Sequence, residues 1–261
     1  MRGTVRIPTT WRGLRWVAGL VAVMVVLSWA VPAGATTTNP YPAGAPGYDV
    51  GYPNCSDTPP GGFAIVGLGG GRPFKANGCL ASEWAAASGS SATPAPALYF
   101  NTGYAGAYAR DVTPACASYS GPSLAGIPKH DQSTYRQAWE IGCSEADYAA
   151  GVATADHAVP SMWWADIETG NSWSTNQTVN QYTVDGISYE MQSLTPGVAG
   201  AYSYAAAWNK IVGPGFPATP PFAGDWGPGL SCGTTGFSGA PVWVVQGGTT
   251  PSGVDTDLGC G

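Results

Sequence analysis

Asp166 and Glu168, in the run Ser161-Met162-Trp163-Trp164-Ala165-Asp166-Ile167-Glu168-Thr169-Gly170, place two carboxyl groups two positions apart at the end of an apolar, aromatic segment. On a β-strand such residues share a face, and at about 3.3 Å of rise per residue their Cα atoms stand roughly 6.6 Å apart. That span suits two carboxyl groups flanking a glycosidic bond, where one donates a proton and the other acts as nucleophile, base or stabiliser. Acids on the inner face of a strand that also carries Trp163 and Trp164 are costly to bury unless they are used.

The elements that must position this pair follow from short apolar runs alternating with helical stretches. The runs predict strands at Gly47–Val50, Phe63–Leu68, Ala97–Asn101, Ser161–Glu168, Val198–Tyr204, Phe222–Asp225 and Val242–Gln246. Helices are predicted at Ser82–Ser88, Ser133–His157 with a break near Gly142, Thr178–Leu194 and Ala205–Val212. Val184, Ile187, Met191 and Leu194 recur at helical spacing and form one buried stripe. Strand, helix, strand repetition implies a parallel sheet, and seven or eight strands in one continuous unit favour a closed barrel over an open doubly wound sheet. Pro and Gly concentrate between Gly213 and Gly239, where loops replace helices. The expected fold is an irregular TIM-like β/α barrel, with helices after the early strands and loops among the later ones. The glycine-rich stretch Gly67-Leu68-Gly69-Gly70-Gly71-Arg72-Pro73 lacks the third glycine and following helix of a phosphate cradle and reads as a loop.

In a parallel barrel the working residues stand at the C-terminal ends of the strands. Asp49 on the first strand, Asp166 and Glu168 on the fourth, and Asp255 just after the last are placed there, with Asp225 as a fifth candidate. Acids gathered in one mouth raise one another's pKa, which lets one stay protonated near neutral pH. Tyr52, Trp173, Tyr204, Trp208 and Trp226 are the aromatics available to stack on sugar rings, and Asn101 ends the third strand.

Residues 1–35 read as a secretory signal, with Arg2, Arg6, Arg12 and Arg15 before the apolar stretch Trp16 to Val31 and a small-residue site at Ala33-Gly34-Ala35. That stretch is short of the roughly 20 residues that span a bilayer, so cleavage is favoured over an anchor, and stable membrane insertion is not expected. A Thr/Pro/Gly-rich leader, residues 36–46, precedes a single domain at 47–261. Six Lys and Arg then face sixteen Asp and Glu, a formal charge of −10, which argues against a nucleic-acid partner. All six cysteines (Cys55, Cys79, Cys116, Cys143, Cys232, Cys260) follow the signal, and an even count in an exported chain points to disulfides. Sequence leaves the connectivity open, and proximity favours Cys55–Cys79, Cys116–Cys143 and Cys232–Cys260. No Cys-x-x-Cys pair exists, and the histidines are only His130 and His157, so a metal site is not expected.

Gly47-Tyr48-Asp49-Val50, Phe63-Ala64-Ile65-Val66, Ala97-Leu98-Tyr99-Phe100, Asp166-Ile167-Glu168, Gly200-Ala201-Tyr202-Ser203 and Val242-Trp243-Val244-Val245-Gln246, followed by Gly253-Val254-Asp255, stand in an order that resembles glycoside hydrolase family 25, the lysozyme-like muramidases. The resemblance runs from about Gly47 to Leu258, and its specific parts are the first-strand Asp, the Asp-x-Glu strand and the closing Trp-x-x-Gln with its later Asp. It implies Glu168 as general acid, Asp166 as its catalytic partner, and Asp49 and Asp255 as acids completing the cleft. It also implies hydrolysis of the β-1,4 bond after N-acetylmuramic acid in peptidoglycan, without a cofactor. With the signal and the cysteines, the chain is expected to be secreted or wall-associated, and it is expected to be a monomer. The chain departs from the family pattern at Gly51-Tyr52-Pro53-Asn54-Cys55, Gly67-Leu68-Gly69 and Phe100-Asn101, which alters the sugar-facing walls. A catalytically silent barrel that binds wall glycan or a wall protein is the alternative.

Overall fold

The computed structural model describes residues 37–261 apart from Ser56 and Thr58, and the expected signal lies outside the described residues. Eight strands close into one barrel in sequence order. They are β1 (Pro46–Val50), β2 (Phe63–Gly67), β3 (Ala97–Asn101), β4 (Trp163–Asp166), β5 (Ala199–Tyr202), β6 (Gly224–Pro228), β7 (Val242–Thr249) and β8 (Asp255–Gly259). The helices are α1 (Leu80–Ser88), α2 (Pro114–Ser118), α3 (Lys129–Ala155), α4 (Gln177–Ser193) and α5 (Ala205–Ile211). Helices therefore follow β2 to β5, whereas β1, β6 and β7 run into loops or a short 3-10 turn, as the distribution of Pro and Gly predicts.

Period-two alternation sorts the strand residues into two cores. Ile65, Ala97, Trp164, Trp226 and Val244 fill the barrel with Tyr41 and Phe63. Ala64, Val66, Leu98, Phe100, Trp163 and Ala165 face outward and pack in the cluster that includes Val184, Ile187 and Met191 of α4. Glycine makes room for the inner rings. A Cβ at Gly47 would stand 2.3 Å from the Phe63 ring, and one at Gly200 2.3 Å from the Trp164 ring.

Four features differ from the sequence expectation. The strand at Ser161–Glu168 is shorter, because after Asp166 the chain turns, with Asn171 N–H donating to Glu168 C=O at 3.1 Å. The sequence predicts no strand beyond Val242–Gln246 and places Asp255 just after the last one, yet Asp255 opens β8, which is antiparallel to both β7 and β1. The connection over 250–254 is too short for a parallel crossover and can only reverse the chain. No break occurs near Gly142, where α3 is continuous. Gly142 is instead a close crossing point, since its Cβ would lie 1.9 Å from Thr183 C=O and that of Gly186 2.1 Å from Trp139 C=O. The leader is also built in. Tyr41 is fully buried and its OH accepts from Trp164 Nε1 at 3.0 Å, while Gly261 N–H donates to Tyr41 C=O at 2.9 Å.

Three disulfides, Cys55–Cys79, Cys116–Cys143 and Cys232–Cys260, form with the pairing that proximity favours. Among the described residues no helix is long and apolar enough to cross a membrane.

Candidate active site

The C-terminal ends of the parallel strands, together with the start of antiparallel β8, bring Asp49, Tyr99, Asn101, Asp166, Glu168, Tyr202, Trp226, Gln246 and Asp255 around one cavity of about 190 Å³. The register aligns them, with Asn101 beside Asp166, Asp166 beside Tyr202, and Asp49 opposite Asp255. All four acids that the sequence nominates as catalytic meet here, and among the described residues no Lys, Arg or His lines the cavity.

Each acid has a distinct setting. Asp166 is buried, and Asn101 Nδ2 donates to its Oδ2 while its Oδ1 has no donor. Burial first, and the neighbouring Glu168 second, push its carboxyl up to about 8. Glu168 lies two residues on, half-buried on the loop beyond β4, and burial followed by Asp255 raises its pKa. Its own C=O accepts from Trp173 Nε1 at 2.9 Å, which fixes the loop. Asp49 is pushed up to about 7, chiefly by burial and then by Asp255 and Glu168, against the stabilising hydrogen bond from Gln246. The Gln246 amide links three walls of the mouth. Its Nε2 donates to Asp49 Oδ2 at 3.0 Å and to Asp255 Oδ2 at 3.4 Å, and its Oε1 accepts from Tyr202 OH at 2.8 Å. Asp255 Oδ1 accepts from Thr249 Oγ1 at 2.6 Å.

The outer layer holds this arrangement in place. Thr102 Oγ1 donates to Asp166 C=O at 2.6 Å, and the next residue, Gly103, donates its N–H to both oxygens of buried Glu145 on α3 at 3.1 and 3.2 Å. The loop that follows Asn101 at the end of β3 is thus tied to α3.

The remaining candidates divide. Trp226 lines the cavity floor and is almost wholly buried, its ring centroid 4.3 Å from that of Tyr202. Trp173 borders an adjoining pocket of about 370 Å³ with Thr169, Asn171 and Lys210. Tyr204 stands beside the Glu168 loop, its OH 3.3 Å from Thr169 Oγ1, and does not line the cavity. Asp225 was expected in the mouth, but alternation with inward Trp226 turns it out of the barrel. There it is fully buried and accepts from Ser238 N–H at 2.9 Å and Ser238 Oγ at 2.6 Å, fastening the β6–β7 loop. Trp208 is core, against Phe216, Phe222 and Phe237, and Tyr52 is exposed.

The sequence assigns no role to Tyr99, Tyr202, Gln246 or Asp257. The signal was parity. Tyr99 shares a face with Asn101, and Asp257 shares one with Asp255. Among the described residues the one group with metal-ligand spacing is Cys116, Cys143 and Glu190, and there both sulfurs are already joined in a disulfide. A larger groove of about 710 Å³ lies over α3 and α4, but its lone carboxyl, Asp185, accepts from Thr219 N–H at 2.7 Å and has no acid partner.

No protein-family model matches the sequence, and no curated protein matches it by sequence. Solved structures do match in three dimensions. The bacterial lysozyme from Streptomyces coelicolor aligns over 84% of this chain and 93% of its own, with a TM-score of 0.54 at 13% identity. A muramidase from Trichobolus zukalii aligns over 83% and 93%, with a TM-score of 0.51 at 16% identity. The family GH25 lysozyme from Aspergillus fumigatus aligns over 83% and 94%, with a TM-score of 0.50 at 12% identity. The α/β barrel built here is therefore the lysozyme-like fold of glycoside hydrolase family 25.

Proposed function

We propose that this chain is an exported glycoside hydrolase that cleaves β-1,4 bonds of peptidoglycan with two carboxyl groups and no cofactor. The observation that carries the reading is the acid cluster, since Asp49, Asp166, Glu168 and Asp255 share one cavity with no cationic side chain in its lining among the described residues. Like charges in a poorly solvated site cannot all ionise, so the cluster keeps at least one proton near neutral pH. Glycoside cleavage needs that retained proton beside an ionised carboxylate.

The roles follow from placement. Glu168, half-buried on the loop beyond β4, is the acid with access to a ligand, and it donates its proton to the leaving-group oxygen. Asp166 and Glu168 share one proton up to about pH 8, and the Asn101 N–H on Asp166 offsets part of the burial that raises it, so the reactive form is the one with the shared proton on Glu168 and Asp166 ionised. As an anion Asp166 stabilises the positive charge that develops at the anomeric carbon. Water then completes the hydrolysis, and its proton restores Glu168. Asp49 and Asp255, joined by the Gln246 amide, complete the wall, and the charge on Asp255 strengthens the hold of Glu168 on its proton. The likeness in fold to muramidases and lysozymes supports peptidoglycan as the glycan. Export to the cell exterior or wall is supported by the first 35 residues and by the three disulfides.

The test is release of reducing ends from purified peptidoglycan. Glu168→Gln is expected to lower the rate by about 100-fold or more, the usual contribution of a general acid. An undiminished rate in that variant would overturn the assignment. Tight binding of folded wild type to peptidoglycan without released ends would favour a glycan-binding barrel instead.

A further inference from the structure

Below the four acids of the mouth lies a fifth. Asp257 is on β8, two residues beyond Asp255 and on the same inward face, its Cα paired with Gly47 while Asp255 pairs with Asp49. It is 5% exposed and, unlike Asp49, does not line the cavity. Trp226 Nε1 donates to its Oδ1 at 2.8 Å, and its buried Oδ2 has no partner among the described residues. The acid facing it across the ladder is Asp49, the next inward position along β1 from its partner Gly47. Two carboxylates repel, and they join by a hydrogen bond only when one of them carries the proton.

The groups around the pair decide which one. Asp49 reaches in from β1, Asp255 from β8 itself, Trp226 from β6 and Tyr41 from the leader, and Gln246 of β7 donates to Asp49. None is a cation. Asp49 borders the open cavity and has the Gln246 amide to support a charge, whereas Asp257 lies in the dry interior beside Trp226. We infer that Asp257 is a neutral carboxylic acid at pH 7, that its O–H donates to Asp49, and that it thereby holds Asp49 as an oriented anion at the mouth. Asp257 is a positioning residue, and its bearing on catalysis rests on the reading of the acid cluster given above. Burial acts in the same direction, raising the Asp257 carboxyl well above its ordinary range, while the shared hydrogen bond pulls Asp49 down.

The role requires a donor toward Asp49 and an acceptor for Trp226, and an Asn side chain supplies both. Asp257→Asn is therefore expected to keep activity within about threefold of wild type, which a residue that transfers protons or attacks the substrate would not permit. Asp257→Leu removes the donor and leaves the Trp226 N–H unpaired. It is expected to lower activity about tenfold and to move the acid limb of the pH profile upward, because Asp49 then binds its proton more tightly. A purely structural role would lower stability in Asp257→Leu without moving that limb, and this result would overturn the inference.

A second measurement does not depend on any activity. Infrared spectra of the full chain, labelled with 13C in the aspartate carboxyls, are compared between wild type and Asp257→Asn at pH 7. The protonated-carboxyl C=O absorption is expected to fall by the share of one aspartic acid in the variant, above the contribution of Asp166 that both proteins keep. Equal protonated-carboxyl absorption in wild type and variant refutes the inference. If Asp257→Asn does not fold, the Asp257 13Cγ shift followed by NMR across pH in wild type gives the same answer, with a carboxylate shift at pH 7 as the refuting result. The expected fall in infrared absorption together with no glycan cleavage by wild type would leave this inference standing and remove the functional reading.

Discussion

Replacing Asp166 by Asn should make the protein more stable at neutral pH and should change little in acid. The folded chain holds the Asp166 carboxyl at about 8 against an ordinary value of 3.8, because burial penalises the anion. A group whose folded pKa is raised contributes stability that is complete below its unfolded value and is lost as pH climbs toward its folded value. The window here runs from 3.8 to about 8. Within it the folded state binds one more proton than the unfolded state, and the slope is about −1.4 kcal/mol per pH unit. From 3.8 to pH 7 the loss would reach about 4 kcal/mol if Asp166 titrated alone. Proton sharing with Glu168 and Asp49 makes that a ceiling. Asn is a neutral isostere that keeps an acceptor for Asn101 and does not titrate, so it removes the slope. Thermal unfolding of wild type and Asp166→Asn from pH 4 to 8 checks this. The gap in Tm should widen by about 3–6 °C per pH unit in favour of the variant, given about 2–4 °C per kcal/mol for a domain of this size. A gap that stays flat with pH would refute the argument, because a packing difference shifts stability equally at every pH.

Two further outcomes concern the framework. Gly142→Ala and Gly186→Ala should each destabilise by about 1–3 kcal/mol in urea unfolding despite the better helix propensity of Ala, since the new Cβ atoms would fall 1.9 and 2.1 Å from carbonyl oxygens of the facing helix. A stabilised variant would mean that α3 and α4 do not cross there. Exchanging Cys232 and Cys260 for Ser together opens a link between residues 28 positions apart and should lower unfolding free energy by about 3.5 kcal/mol, read from urea unfolding with the m-value fitted for each protein.

The sequence made most of the barrel legible because β1 to β7 carry apolar runs and α4 carries a clear helical stripe. It hid β8 because Asp255-Thr256-Asp257-Leu258-Gly259 turns carboxyl groups inward where a strand ordinarily shows apolar residues. Such a segment is recognised as a strand only once the ladder to β1 is seen. Asp225 was misplaced for a related reason. Which face a residue takes depends on where its strand begins, and one position separates the cavity from the outer layer. Gly142 suggested a helix break because its partner, Gly186, is remote in sequence, and only packing reveals that each makes room for the other. Tyr41 sits in a Pro/Gly-rich leader with no periodicity, so nothing local announces that it fills the base of the barrel. The four acids of the mouth were legible through the Asp-x-Glu spacing and strand-end positions. The groups that hold them, Gln246, Tyr202 and Glu145, were not, because each acts through a contact made across the fold.

Mass spectrometry of fragments from purified peptidoglycan tests the central claim most directly, with wild type beside Asp166→Asn and Glu168→Gln. The account predicts fragments ending in new reducing muramic acid from wild type alone. Fragments of the same kind and amount from Glu168→Gln, or none from folded, disulfide-intact wild type, would contradict it.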